Sequence, residues 1–442
     1  MKLRSIYQPL TAFALTGTLL VPLAAQAVPS FARQTGMDCA MCHTVFPQLT
    51  PFGRTFKLSG YTMASGAFND QNGQSEKLQE DTMAPLSAML QVDYTAMKKN
   101  DTGPGGNLAK DTVQLPQQFS IFYAGRISNY LGAFAQATLD STNSFAMDNT
   151  DIRYARTATT SGGTSITYGV SLNNSPTVED ILNSTPVWGF PFSAADYAHS
   201  PAYGTQLGTG AFAQTTGGLV AYAMINNTWY ASAGAYHDTQ ATTGATTGMK
   251  GWAPYARFAF QKDFGTSNFD IGAYTMNGKL SGDVTDPTVP TGKFNDVGVD
   301  GQYQYINGVH TATVRANYIT EKLTDPNAVD PAAVTTGSLK IHDTSLNGEY
   351  YYDRSYGAGL GYFATKGDAD TGLYDLSSSG KPDSAGWLVN ANYLPWLNTK
   401  FTLQYTMYSK FNGGSSYTSE TSGVTRNAKD NNTLYLAAWF MF

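Results

Sequence analysis

Cys39 and Cys42 are the only cysteines of this 442-residue chain, and both lie in Cys39-Ala40-Met41-Cys42-His43. This is a C-x-x-C-H word, the spacing of c-type haem attachment. Two thiols two residues apart reach the two vinyl groups of one haem c, and the adjacent His43 then lies under the iron as proximal ligand. Two other chemistries use cysteines so spaced. A thioredoxin-like redox pair wants a βαβ setting, which the flanking residues lack. A zinc site wants a second Cys or His pair at ligand spacing, and there is none. The pattern does not fix the distal iron ligand. Met63 is the nearest candidate and the preferred one, with Met83 and Met89 further along. A methionine there would raise the potential relative to bis-His ligation, although each of these residues taken singly reads more readily as ordinary apolar filling.

Such a site needs elements to position it. Between Pro47 and Leu58 the sequence predicts a short helix, with Thr50 as N-cap, Pro51 in the first turn, and Phe52 and Phe56 on one face. Phe46, Leu49, Phe52 and Phe56 could cover one side of a porphyrin or pack against neighbouring structure. Units below about 40 residues rarely stand without outside support, so the rest of the chain must supply the missing core.

The first 27 residues read as an export signal: Lys2 and Arg4, an apolar stretch from Leu10 to Leu23, then Ala25-Gln26-Ala27 as cleavage site. A short membrane anchor is the alternative, disfavoured by Thr16, Thr18 and Pro22. The mature chain is expected to begin at Val28. Removing Lys2 and Arg4 from 27 basic residues leaves 25 against 33 acidic, a formal charge of −8. The destination is beyond a bacterial cytoplasm, where thiols do not stay free for long.

The remainder is 42% hydrophobic and rich in glycine, yet only 14% of all residues are charged, against about 25% in ordinary globular chains. No apolar run of about 20 residues follows the N-terminus, which excludes a helical membrane protein. A net charge of −6 argues against a nucleic-acid binder. From Leu86 onward, apolar and polar residues alternate in segments of about ten, as in Phe401, Leu403, Tyr405 and Met407 with Thr402, Gln404 and Thr406 between them. Val314, Ala316 and Tyr318, and the terminal run Leu434, Leu436, Ala438 and Phe440, repeat the pattern. A period of two with one apolar face means lipid outside and water inside. A soluble β-sandwich array would want a second hydrophobic face.

Tight turns are expected near Ser128-Asn129, Ser161-Gly162-Gly163, Asn226-Asn227, Gly265-Thr266, Asn307-Gly308, Asp353-Arg354 and Leu397-Asn398. Longer loops are expected at Lys99–Gln117, Asp325–Leu339 and Asn412–Asn431. The fold class is therefore all-β: a transmembrane outer-membrane β-barrel of about 16 antiparallel strands over residues 81–442, behind a small helical c-type cytochrome module over 28–80. The longest loop, Asn173 to Thr209, carries Trp188, Phe190, Phe192 and Tyr197 with Glu179, Asp180, Asp196 and His199. It follows the fifth expected strand and reads either as an inward gate or donor site, or as a packed extracellular cap. His237, His310 and His342 are isolated and read as structural.

The stretch Val28-Pro29-Ser30-Phe31-Ala32-Arg33-Gln34-Thr35-Gly36-Met37-Asp38-Cys39-Ala40-Met41-Cys42-His43, followed by Pro47, Leu49, Phe52-Gly53-Arg54, Phe56-Lys57 and Gly60-Tyr61, closely resembles the fused monohaem cytochrome–porin family of iron-oxidising bacteria. The resemblance covers roughly Val28–Tyr61 in specific words, and the rest in architecture and length. It implies an outer-membrane Fe(II) oxidase with Cys39, Cys42 and His43 as haem ligands, and it puts Arg54 and Lys57 near the haem or its propionates. Extracellular Fe(II) would be the donor, a periplasmic c-type cytochrome the acceptor, and outer-membrane lipid the surroundings. The reaction is outer-sphere electron transfer, so no catalytic acid, base or nucleophile is expected. Two rivals remain: a solute porin with a small haem plug or sensor, and a redox conduit for another extracellular donor. The oligomeric state stays open.

Overall fold

In lipid every backbone N–H and C=O must find a partner within the chain, so alternating strands with one apolar face can span only as a closed barrel. The computed structural model describes residues 29–63, 85–239, 248–396 and 398–442. The expected export signal, Val28, Met83 and Leu397 lie outside them. The wall is built from β1 (Leu86–Met97), β2 (Asp111–Arg126), β3 (Leu131–Asp140), β4 (Phe145–Thr159), β5 (Ser165–Asn173), β6 (Thr216–Ile225), β7 (Trp229–Asp238) and β8 (Ala253–Asp263). It continues with β9 (Ser267–Ser281), β10 (Thr291–Asn307), β11 (His310–Thr324), β12 (Ser338–Tyr352), β13 (Tyr356–Gly367), β14 (Ser384–Trp396), β15 (Thr399–Lys410) and β16 (Thr433–Met441). The sheet has seventeen segments because Gly248–Lys250 pairs with β9 just ahead of β8. The barrel thus has sixteen strands, each antiparallel to its neighbours. It closes because β1 pairs on both sides: Tyr94 faces Val113 of β2 and Leu436 of β16.

The alternation has the expected sense. Phe401, Leu403, Val314 and Tyr318 face outward, whereas Thr402, Gln404, Arg315 and Asn317 are buried inside. The expected tight turns, with Asn398 marking the last, all fall on one rim, and both ends of the strand series lie there too. Connections on the opposite rim are longer, except for the four residues 141–144 between β3 and β4. Short turns mark the periplasmic rim. Even strand number, closure, an apolar outer band and this asymmetry make the chain a multi-pass β-barrel of the bacterial outer membrane. Among the described residues no helix is long and apolar enough to cross a membrane; the strands cross instead.

One boundary moves. The expected loop Lys99–Gln117 ends earlier, because β2 begins at Asp111. Pro116 reads as a strand breaker, but it lies opposite a register shift between Gln91 and Asp93 of β1. A proline is tolerated at such a bulge because no ladder N–H is required there. The third outer connection is also longer than expected, running over 174–215.

Two pieces of chain fill the lumen. From the periplasmic side come α1 (Pro29–Thr35), α2 (Cys39–Cys42) and α3 (Pro51–Leu58). Ser30 Oγ donates to the Ala124 carbonyl at 2.7 Å, and the Tyr61 hydroxyl donates to Asp151 at 2.6 Å. At Gly60, with φ +71°, the chain passes so close to β3 that a Cβ on Gly132 would lie 2.2 Å from the Gly60 carbonyl oxygen. From the outer side the 174–215 loop folds inward, burying Glu179, Asp180, Ile181 and Leu182. Of the two readings of this loop, the inward fold is the one found. The 29–63 segment borrows its core from the wall: Phe46, Phe56 and Tyr61 cluster with Met89, Phe122, Phe134 and Trp439.

Candidate haem site in the lumen

α2 is a single turn that sets Cys39 and Cys42 three residues apart on one face, both as thiols. The His43 amide still donates to the Cys39 carbonyl at 2.8 Å, after which the backbone becomes extended. α3 buttresses this turn. The Thr50 hydroxyl accepts from the Gly53 amide at 3.0 Å and donates to the Met41 carbonyl at 2.6 Å, and the Thr50 amide donates to the Cys42 carbonyl at 2.9 Å. A Cβ at position 53 would lie 2.1 Å from the Cys42 carbonyl oxygen, so this contact requires glycine. The expected helix is therefore present, shorter at its start, with Thr50 as its cap.

His43 is oriented for ligation. Its Nδ1 lies 3.2 Å from the Gln48 carbonyl oxygen. A proton on Nδ1, donated to that carbonyl, leaves the Nε2 lone pair for a metal. Burial lowers the His43 pKa and so favours the neutral, ligating imidazole. Burial and the neighbouring Cys39 push the Cys42 thiol up to about 11. A catalytic redox pair depends instead on a depressed thiol pKa, the opposite direction. Among the described residues no three His, Cys, Asp or Glu side chains group to hold a metal ion.

Cys39, Cys42 and His43 open onto one lumen cavity of about 860 Å³, within the range of cofactor pockets, about 300–1,000 Å³. Its inner half is aromatic. Phe31 meets Phe56 edge-on at 5.1 Å, Phe46 meets Trp439 at 5.2 Å, and Phe134 meets Trp188 of the inward loop at 5.3 Å. Phe46, Leu49 and Phe56 line this space, as expected, whereas Phe52 does not. Among the methionines Met37, Met89 and Met441 line it; Met63 packs against the adjoining hydrophobic cluster.

The two basic residues that the resemblance placed near the haem part company. Arg54 is fully buried away from the cavity, paired with Asp270 at 3.2 Å and donating to Gln261 and Gln304 at 3.0 Å each. It pins the plug to the wall. Lys57 does line the cavity, donates to the Val178 carbonyl of the inward loop at 2.5 Å, and lies 5.2 Å from the centre of the Trp188 ring. Burial, reinforced by Arg153, lowers the Lys57 pKa to about 8. His237 meets Trp252 edge-on, and His310 and His342 stack on Tyr350 and Tyr318, all away from the cavity.

Phe122, Phe134, Trp439 and the inward loop's contact with Lys57 were not singled out from sequence. A signal was available for the first two. Phe122 and Phe134 are aromatics on inward strand faces otherwise made of small or polar residues, and such breaks mark where a lumen is packed rather than wet.

No family model matches the chain, and no curated protein is significantly similar to it in sequence. Among solved structures it is similar to a loop L8 deletion mutant of OmpT, an outer membrane protein of Vibrio cholerae, at 12% identity over 81% of this chain and 98% of that one, with a TM-score of 0.47. It is similar to OmpF of Salmonella typhi in complex with daunomycin at 16% identity, 81% and 97% coverage, and a TM-score of 0.48. The anion-selective porin from Comamonas acidovorans follows at 12% identity, 81% and 98% coverage, and the same TM-score of 0.48.

Proposed function

We propose that the chain is an outer-membrane electron conduit that carries one covalently attached haem c inside its barrel, draws electrons from extracellular Fe(II) and delivers them to a periplasmic c-type cytochrome. One observation carries the reading: both thiols and the imidazole of the C-x-x-C-H word face a single aromatic-lined cavity within the lumen. The donor set fits the group, with two thiols on one helical turn and an imidazole already oriented by a backbone carbonyl. Bound there, a haem c would supply one-electron redox chemistry.

The chain's own residues do the rest. Cys39 and Cys42 tether, and Gln48 fixes the His43 ring. Phe46, Phe134 and Trp188 keep water from the inner half of the cavity. Met41, between the two cysteines, is half exposed and does not line the cavity, which leaves that side of the turn for a soluble partner. The hydrocarbon layer is about 30 Å thick, and seating the redox centre within the wall shortens the gap while the metal stays outside. Filling of the lumen by the plug and the inward loop favours a conduit over an open solute porin.

The test is anaerobic addition of Fe(II) to purified protein, read by haem absorbance. The expected result is a covalently bound chromophore that Fe(II) reduces and that is lost in Cys39→Ala/Cys42→Ala. A colourless protein rejects the cofactor; a coloured one that Fe(II) leaves oxidised rejects the iron assignment and favours another donor.

A further inference from the structure

Charge is distributed unevenly along the lumen. In its inner part carboxylates are matched by arginines: Asp270 by Arg54, Asp151 and Glu179 by Arg153, Asp180 and Asp300 by Arg257. The outer half of the haem-side cavity differs. It climbs the β2–β4 wall past Gln136 and Thr138 to Asp140, Asp148 and the exposed Asp196, beside the low rim at 141–144. These carboxylates accept only from neutral donors. Asp196 takes the Ser141 hydroxyl at 2.8 Å, and Asp148 takes Thr138, Asn149 and Gln214 at 2.8 to 2.9 Å. Among the described residues none of them is ion-paired, and the one Lys or Arg lining the cavity is Lys57, in the plug below.

Among the described residues, two buried oxygens nearby lack hydrogen-bond partners. Asp93 lies on the inward face of β1, two residues beyond Gln91, which lines the cavity. It is 4% exposed; Oδ2 accepts from Thr95 at 2.6 Å, whereas Oδ1 has no hydrogen bond among the described residues. Gln114, its register partner on β2, also points inward, between the outward Val113 and Leu115, and its buried Oε1 is unsatisfied as well. Directly opposed residues hold their Cβ atoms about 4.5–5.5 Å apart. The inward loop is fixed over this place: Ser193 bonds Gln91 at 3.1 Å and Tyr435 at 2.5 Å, three residues before Asp196. Buried orphan oxygens are costly, and a carboxylate and an amide oxygen together suit a hard divalent ion that keeps part of its hydration shell.

We infer that Asp93 and Gln114, with Asp196 from the inward loop, form a divalent-cation site on the path from the outer rim to the haem cavity. The choice of Fe(II) as its physiological occupant rests on the function proposed above; the site itself does not. The lone unpaired carboxylates at Asp140 and Asp148 would raise the local cation concentration on the way in.

The experiment titrates the full-length protein in detergent with Mn(II), which does not reduce it under these conditions, and follows loss of the free-ion EPR signal. One saturable site is expected. It should weaken at least about tenfold in Asp93→Asn and in Asp196→Asn, since each removes a full charge from beside a divalent ion, and should weaken less in Gln114→Leu. Glu420→Gln, on another outer loop, should bind as the parent does. Asp196 is exposed, so its variant folds even if Asp93→Asn does not. Absence of saturable Mn(II) binding, or equal binding by Asp196→Asn and the parent, overturns the inference. Mn(II) binding as expected with no reduction by Fe(II) would retain the site and reject the iron oxidation.

Discussion

Arg54→Met separates anchoring of the plug from every other role of that residue. Arg54 and Asp270 are both fully buried, 3.2 Å apart, and the guanidinium also donates to Gln261, Gln304 and Asn268. Methionine keeps much of the volume but strands the Asp270 carboxylate, whose one remaining hydrogen bond among the described residues is the Gln302 amide at 3.1 Å. Breaking one side of a buried pair costs about 3–5 kcal/mol, so the docked plug loses roughly two to four orders of magnitude in its equilibrium with the undocked form. The barrel itself keeps its sixteen-strand ladder, so the loss falls on residues 29–63 alone. Planar-bilayer conductance and limited proteolysis read it. The parent should conduct poorly and protect Arg33 and Lys57 from cleavage. Arg54→Met should show frequent large openings and rapid clipping of the N-terminal segment from a folded barrel. Adding Asp270→Asn should recover part of the loss, because the stranded charge is then gone; contacting pairs couple by about 0.5–3 kcal/mol. If Arg54→Met shows parental conductance and protease resistance, the ion pair does not hold the plug and the reasoning fails.

Three further outcomes follow from local geometry. Gly53→Ala sets a Cβ 2.1 Å from the Cys42 carbonyl oxygen, so α3 must lift off the C-x-x-C-H turn; the covalent haem content of the purified protein should fall severalfold while the barrel still folds, and unchanged content would refute the contact. Lys57 has its pKa lowered by burial from 10.5 to about 8. Between those values the unfolded plug binds more protons than the docked one, so docking strengthens as pH rises from about 8 to about 10.5, by about 3 kcal/mol at most, and is flat below. Protease resistance measured against pH should show this rise and Lys57→Met should abolish it. Asp101 is buried between His199 at 2.9 Å and Arg426 at 3.3 Å, tying the first, third and last outer loops together; Asp101→Asn should cost about 2 kcal/mol locally, seen as some thirtyfold faster hydrogen exchange in those loops with the wall unaffected.

Much of this was written in the order of residue types. The C-x-x-C-H word could carry the haem proposal because covalent attachment depends on a spacing of a few ångströms within one turn, which local sequence controls. Thr50 and Pro51 announced α3 because capping is also local. The alternation of Phe401, Thr402 and Leu403 announced a barrel because a strand's two faces meet two solvents. Pro116 misled for the complementary reason: whether a proline breaks a strand depends on the register of the neighbouring strand, and that neighbour lies about 25 residues away.

What only the tertiary structure decided is where distant segments meet. Nothing local distinguishes Arg54, an anchor to β9, from Lys57, a residue of the cavity, since they lie one turn apart on the same short helix. Nothing local makes Phe122, Phe134 and Trp439 neighbours of Cys39, or leaves Asp93 and Gln114 with unmatched oxygens facing one lumen. Those relations arise when a sixteen-stranded sheet closes and encloses the chain's own N-terminus and third outer loop. Closure pairs residues hundreds of positions apart, and no periodicity within a segment encodes which of them will share the interior.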